Sequence, residues 1–196
     1  MLESPMLKIV AILCFAVFAL VDSPGSALTT GMQLVYSSAD AESPPWKIVS
    51  VSDTTIGGMS SCRVIVLRMD SARPPERRNW CVSGDMLLSW DTTSRSLRPI
   101  RPVGEGMSLE VPGARGSRSS YTTRSALEQT VSGIRVRVLE TVVVTRDSTG
   151  RQVRRLREFY SPALATATSG VFEVPDSVRA NNWLIQSSFK LVRITP

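Results

Sequence analysis

Carboxylates, arginines and two cysteines carry most of the reactive chemistry in this chain, because histidine is absent. Without imidazole, Ser-His-Asp and Cys-His nucleophilic catalysis are excluded, and so are the usual zinc-ligand sets. Serine–lysine chemistry fares no better. Beyond residue 27, lysine occurs only at Lys47 and Lys190, and neither lies near a Ser-x-x-Lys spacing. Paired carboxylates remain. Asp53 and Asp91 each follow a strand-like run and precede Thr-Thr, and two carboxylates sharing a proton are a hydrolytic device. The loop that brings such a pair together needs glycine directly after Asp-Thr, where this chain has Thr55 and Thr93. Asx-type turns after strands account for both sites. No other acid pair stands out for a carboxylate-based hydrolase acting on polysaccharide, so the chain reads as a non-enzyme with no cofactor and no metal.

Arginine is densest between Arg146 and Arg157. On a strand, Arg151, Arg155 and Arg157 share one face, while Arg154 sits on the other with Glu158. Guanidinium groups bind phosphate and carboxylate bidentately, so the three-arginine face suits an anionic headgroup, polysaccharide or an acidic envelope partner. A solvated outer face is the alternative. Few aromatics alternate with these arginines, which counts against nucleic acid. Glu140 interrupts an otherwise apolar strand face. It either makes a polar contact inside a binding cavity or pairs with an arginine on a neighbouring strand, since a buried charge without a partner is costly.

The first residues decide the compartment. Lys8 precedes an uncharged run from Ile9 to Val21, which Pro24, Gly25, Ser26 and Ala27 follow. That run has the length of a signal-peptide core and falls short of the ~20 apolar residues that span a bilayer. Small residues at Gly25 and Ala27 fit the −3 and −1 positions of a cleavage site. The expected organisation is therefore a signal peptide at 1–27 and a single β-rich domain at 28–196. That domain is periplasmic or extracellular and not an integral membrane protein once cleaved. Losing the leader takes the formal net charge from +6 to about +7. Cys14 leaves with it, so Cys62 and Cys81 are expected to form one disulfide in an oxidising compartment. The bridge closes a loop of about twenty residues, worth on the order of 3 kcal/mol.

The elements that must position these residues repeat with period two. Ile134, Val136, Val138, Val142 and Val144 alternate with polar or mixed positions, giving a strand with one apolar face. Asp147-Ser148-Thr149-Gly150 follows as a turn, and Arg151 to Tyr160 resumes as a strand, so the two should pair antiparallel. Further strands are predicted at Met32–Ser37, Trp46–Ser52, Cys62–Met69, Trp80–Trp90, Leu97–Val103, Met107–Val111, Ser120–Gln129, Gly170–Val174 and Trp183–Ile194. A tight hairpin is expected inside the Trp80–Trp90 segment. Arg98-Pro99-Ile100-Arg101-Pro102 is extended by necessity and reads as a protected edge strand. Helix evidence is confined to one turn each at Ser161–Ser169 and Pro175–Asn181, with Asp176 as the cap of the second. The fold class that follows is mainly β, an antiparallel curved sheet or half-open β-barrel with one or two short helical turns.

One stretch carries a resemblance. Val136 to Val174 reads as a long strand, a glycine turn and a second strand ending Glu158-Phe159-Tyr160-Ser161-Pro162, then Ala163-Leu164-Ala165 and another strand. This resembles a group of periplasmic bacterial domains of unknown function that carry glycines where this chain has Ala163 and Ala165. The resemblance implies a half-open antiparallel barrel similar to lipoprotein-carrier folds of the bacterial envelope, and no catalytic residues. A curved sheet of this size can leave a hollow concave side, so the expected function is binding of an apolar or amphipathic, lipid-like ligand. Glu140, Phe159, Tyr160, Phe172 and Phe189 are the candidate ligand residues. The alternative function is an envelope interaction module that docks an acidic partner on the arginine face.

Overall fold

The computed structural model describes residues 25–38, 41–69, 74–179 and 182–196. Residues 1–24 of the expected leader, 70–73 of the loop within the cysteine pair, and 180–181 of the second expected helical turn lie outside the described residues.

The strands are β1 (Gln33–Ser38), β2 (Ala41–Glu42), β3 (Trp46–Ile56), β4 (Met59–Arg68), β5 (Glu76–Ser83), β6 (Met86–Asp91) and β7 (Ser96–Pro102). The second half holds β8 (Ser108–Pro112), β9 (Arg118–Val131), β10 (Ile134–Arg146), β11 (Gln152–Ser161), β12 (Thr166–Pro175) and β13 (Trp183–Thr195). They form one thirteen-stranded antiparallel sheet in the order β7-β6-β5-β4-β3-β1-β13-β12-β11-β10-β9-β8, with β2 attached to β1. Two meanders, β3 to β7 and β8 to β13, are thus joined through β1, which pairs with both β3 and the C-terminal β13. The sheet curls until β7 and β8 meet without a hydrogen-bonded ladder. It is a nearly closed barrel with one unsealed seam.

The seam has a chemical reason. β7 contains Pro99 and Pro102, which have no N–H to donate, and among the described residues its only ladder is to β6. One end of the seam is tied by Thr123, whose backbone N–H donates to Met107 O at 2.9 Å while its hydroxyl accepts from Met107 N–H at 2.9 Å and donates to Gly104 O. Gly104 is needed there, because a Cβ would lie 2.5 Å from Asp85.

The hairpin expected from the valine-rich strand is present, with β10 pairing β11 from Leu139↔Tyr160 to Arg146↔Gln152. Its turn is closed by Asp147, whose Oδ1 accepts from Thr149 N–H at 2.9 Å and Arg151 N–H at 3.1 Å. Gly150 supplies the positive φ of 86°. The tight hairpin within Trp80–Trp90 is the β5–β6 turn at Gly84-Asp85. Cys62 and Cys81 face each other in the β4–β5 register and are disulfide-bonded.

The helical turns fall elsewhere than expected. A 3-10 turn lies at Ala114–Gly116. Pro162–Ala165 is instead a buried reverse turn, with Ala165 N–H donating to Pro162 O and Ala165 at φ 52°, which sends the chain straight back into β12. Asp176 does cap, accepting from Val178 N–H at 2.8 Å and Arg179 N–H at 3.2 Å. The chain there bends rather than winding, and Asx capping serves a turn as well as a helix.

One end of the barrel is plugged. Leu164 and Ala165 of the buried turn pack with Leu28, Met32, Leu34, Ile65, Leu191, Ile194 and the Val131–Val138 hairpin end in a single core cluster. The residues just before Leu28 join in. Gly25 N–H donates to Pro162 O at 2.9 Å, Ala27 N–H to Ala163 O at 3.0 Å, and Arg63 Nη1 to Gly25 O at 2.8 Å.

Candidate functional site

Alternation along β11 puts Glu158 and Tyr160 on one face and Arg155, Arg157 and Phe159 on the other. The face with Glu158 and Tyr160 is the inner one, because Arg101 reaches it from β7 across the interior. Arg101 Nη2 lies 2.6 Å from Glu158 Oε1. Its guanidinium stacks 3.9 Å above the Tyr160 ring and 5.5 Å from the Tyr121 ring. Pro99 and Pro102 hold the backbone extended on either side of Arg101, and the missing β8 ladder leaves this edge next to the seam.

The inner cluster is buried yet incompletely paired. Tyr160 is 5% exposed and Glu158 5%. The Tyr160 hydroxyl, Arg101 Nη1 and Glu158 Oε1 have no hydrogen-bond partner among the described residues. The close Arg101–Glu158 approach is thus an ion pair whose angles are not those of a hydrogen bond. Burial pushes the Tyr160 hydroxyl up to about 12. Burial also pushes Tyr36 up to about 12, although its hydroxyl donates to Ala167 O at 3.0 Å and meets Thr166 Oγ1 at 3.0 Å. Buried polar groups are nearly always satisfied, so an unpaired set of this kind calls for an explanation.

Aromatic rings continue the inner face. Phe172 lies 5.8 Å from Phe189, Phe189 6.1 Å from Tyr36, and Tyr36 5.2 Å from Trp46. Arg78 sits over both Trp46 and Trp80, at 5.6 and 5.4 Å. A narrow slot runs between Leu34, Trp46, Ile48, Ile65, Arg78, Trp80 and the Leu164–Thr166 segment. Its volume of about 10 Å³ is the space of one water molecule.

Of the five ligand residues expected from sequence, Tyr160, Phe172 and Phe189 share this inner face. Gly170 makes the approach possible: it lies opposite Phe189 in the register, and a Cβ there would meet the Phe189 ring at 2.7 Å. Phe159 faces away and packs against the core cluster at the plugged end. Glu140 lies opposite Phe159 and makes an ion pair with Arg124 at 3.1 Å. A register shift against β9 between Leu139 and Thr141 accounts for its position. Val136 and Val138 are buried on one face of β10, but beyond the shift Thr141 and Val143 are buried on the other. Glu140 therefore does not interrupt the buried face. It lies where burial changes sides.

The arginine face is internally neutralised in part. Glu173, on β12 and 4% exposed, accepts from Arg155 Nε at 2.6 Å and from Arg157 Nη2 at 2.9 Å. Those hydrogen bonds, the Arg155 one first, hold its carboxyl below the usual range. Arg155 also stacks 4.4 Å from the Trp183 ring. Arg151 lies in the turn ahead of β11, so it is not aligned with the other two. Arg154, on the inner face, stacks 4.2 Å from Phe172.

Asp53 and Asp91 do not come together. Asp53 pairs with Arg63 on β4 at 2.9 Å. Asp91 closes its own turn by accepting from Thr93 N–H at 2.8 Å and pairs with Arg98 at 2.9 Å. Among the described residues no three His, Cys, Asp or Glu side chains are placed to hold a metal ion, and no helix is long and apolar enough to cross a membrane.

No family model, curated protein or solved structure matches this chain. The site therefore has to be read from its own geometry. Sequence reasoning missed Arg101, the residue that organises the inner cluster. The available signal was an arginine between two prolines on a predicted edge strand, and alternation there does not say which face is inside.

Proposed function

We propose that this protein is a non-enzymatic, exported binding protein that holds an apolar or amphipathic, lipid-like ligand inside its curved sheet. The observation that carries the reading is the inner cluster. Buried donors and an acceptor without partners stand beside a stripe of aromatic rings, next to the one seam where the barrel is not laddered. Such convergent polar groups in an apolar surround are the usual make-up of a small-molecule site. The disulfide supports an oxidising compartment, and the resemblance to lipoprotein-carrier half-barrels supports the ligand class. Arg155 and Arg157 already share Glu173, which leaves less of that face for an acidic partner.

Expression with the chain's own leader, detergent-free recovery and native mass spectrometry test the reading. The expected result is a discrete extra mass that is lost on denaturation and identified as a lipid. Trp46 and Trp80 line the slot, so their fluorescence should respond when lipids are added. A lipid-free protein whose fluorescence responds to no lipid class would overturn it.

A further inference from the structure

The unpaired groups of the inner cluster are of two kinds. Arg101 Nη1 and the Tyr160 hydroxyl can donate, and Glu158 Oε1 can accept. A neutral group that both accepts and donates matches this set, as an alcohol or a primary amide does. A carboxylate does not. Arg101 is already charge-balanced by Glu158 at 2.6 Å, and a second buried anion beside Glu158 would be repelled. The apolar slot adjoins the same place. Its wall residue Thr166 meets the Tyr36 hydroxyl and directly precedes Ala167, the register partner of Tyr160.

We propose that Arg101, Glu158 and Tyr160 recognise the neutral hydroxyl or carboxamide end of an amphipathic ligand held in the lumen beside the seam. This rests on the lumen-binding reading above. The unsealed β7–β8 edge that carries Arg101 is where the barrel has the fewest bonds to break. Arg101 is then both a headgroup contact and the side chain that spans the entrance from within.

Three probes of equal chain length test the headgroup: 1-decanol, decanamide and decanoate, titrated at pH 8 against the full protein and followed by tryptophan fluorescence. The alcohol and amide are expected to bind about tenfold or more tighter than decanoate, the size of one directed hydrogen bond gained or one charge repelled. Tyr160→Phe removes only the hydroxyl. It is expected to weaken the alcohol and amide about tenfold while the unfolding temperature of the ligand-free protein holds or rises, because that hydroxyl has no protein partner to lose. Equal affinity of wild type and Tyr160→Phe for decanol would overturn the proposal. So would a lowered unfolding temperature at unchanged affinity, which would assign the hydroxyl to a structural water. Equal affinity for all three probes would overturn the headgroup selectivity while leaving lumen binding in place. Wild-type protein that binds none of them and carries no lipid would remove the lumen-binding reading itself.

Discussion

Two buried tyrosines and one buried glutamate give this molecule opposite sensitivities at the two ends of the pH scale. Tyr36 and Tyr160 are both raised to about 12 by burial, against about 10 in an unfolded chain. A group whose folded value is raised contributes its stability in full below the unfolded value and loses it as pH climbs to the folded one. Thermal stability should therefore fall between pH 10 and about 12, and Tyr160→Phe should flatten that fall, read by unfolding scans across the range. Glu173 works in the other direction. Its value is lowered by the Arg155 and Arg157 hydrogen bonds, so its stabilisation is present above the unfolded carboxylate value and drains as pH drops through the lower, folded one. Glu173→Ala should cost about 1–2 kcal/mol at pH 7, less than a fully buried pair because Arg157 is 54% exposed. Most of that cost should vanish once the pH has fallen below the lowered, folded value. Equal unfolding midpoints for wild type and variant at pH 7 would show the pair to be idle. Neither pairing was legible in advance: sequence put Arg155 and Arg157 on one face but could not say that β12 would bring a carboxylate beneath them.

Along the elements, glycine and bulge positions set which side chains meet. Gly170 faces Phe189 across the β12–β13 register, and its missing side chain is what lets the ring sit over the strand between Tyr36 and Phe172. Gly170→Ala should destabilise by about 1–2 kcal/mol through overpacking. Adding Phe189→Leu should recover part of that loss, since the two sites share one contact. Additive losses in the double variant would mean the ring is not the obstacle. The strand positions themselves were largely legible. Period-two alternation, the Asp147–Gly150 turn and the prolines of β7 are local properties of the chain, and local properties survive tertiary context. The register shift at Glu140 was not legible, because a bulge depends on how the partner strand is spaced and not on the residue it displaces. The same holds for Ser161–Ala165, where small residues permit a helical turn but Ala165 is drawn into positive φ by the plug it belongs to.

At the scale of the whole molecule, the barrel is closed at one end by side chains and left unsealed along one seam. Gly25 and Ala27 contribute two backbone hydrogen bonds and Gly25 O a third contact to the plug. A chain beginning at Leu28 should therefore unfold about 1–3 kcal/mol more easily than one beginning at Gly25, a comparison made by denaturant titration of both forms. Indistinguishable midpoints would show that these residues only rest on the plug. Sequence by itself determined a mainly β chain, its strand positions, the one cysteine pair of 28–196, and the absence of imidazole chemistry. Each follows from composition or from periodicities a few residues long. The tertiary structure alone decided that β1 and β13 sit side by side in the middle of the sheet, that β7 and β8 meet without bonding, and that Arg101 turns inward to Glu158 and Tyr160. Those contacts join residues far apart in the chain, and the side of a strand that faces inward is fixed only once the whole sheet has curled.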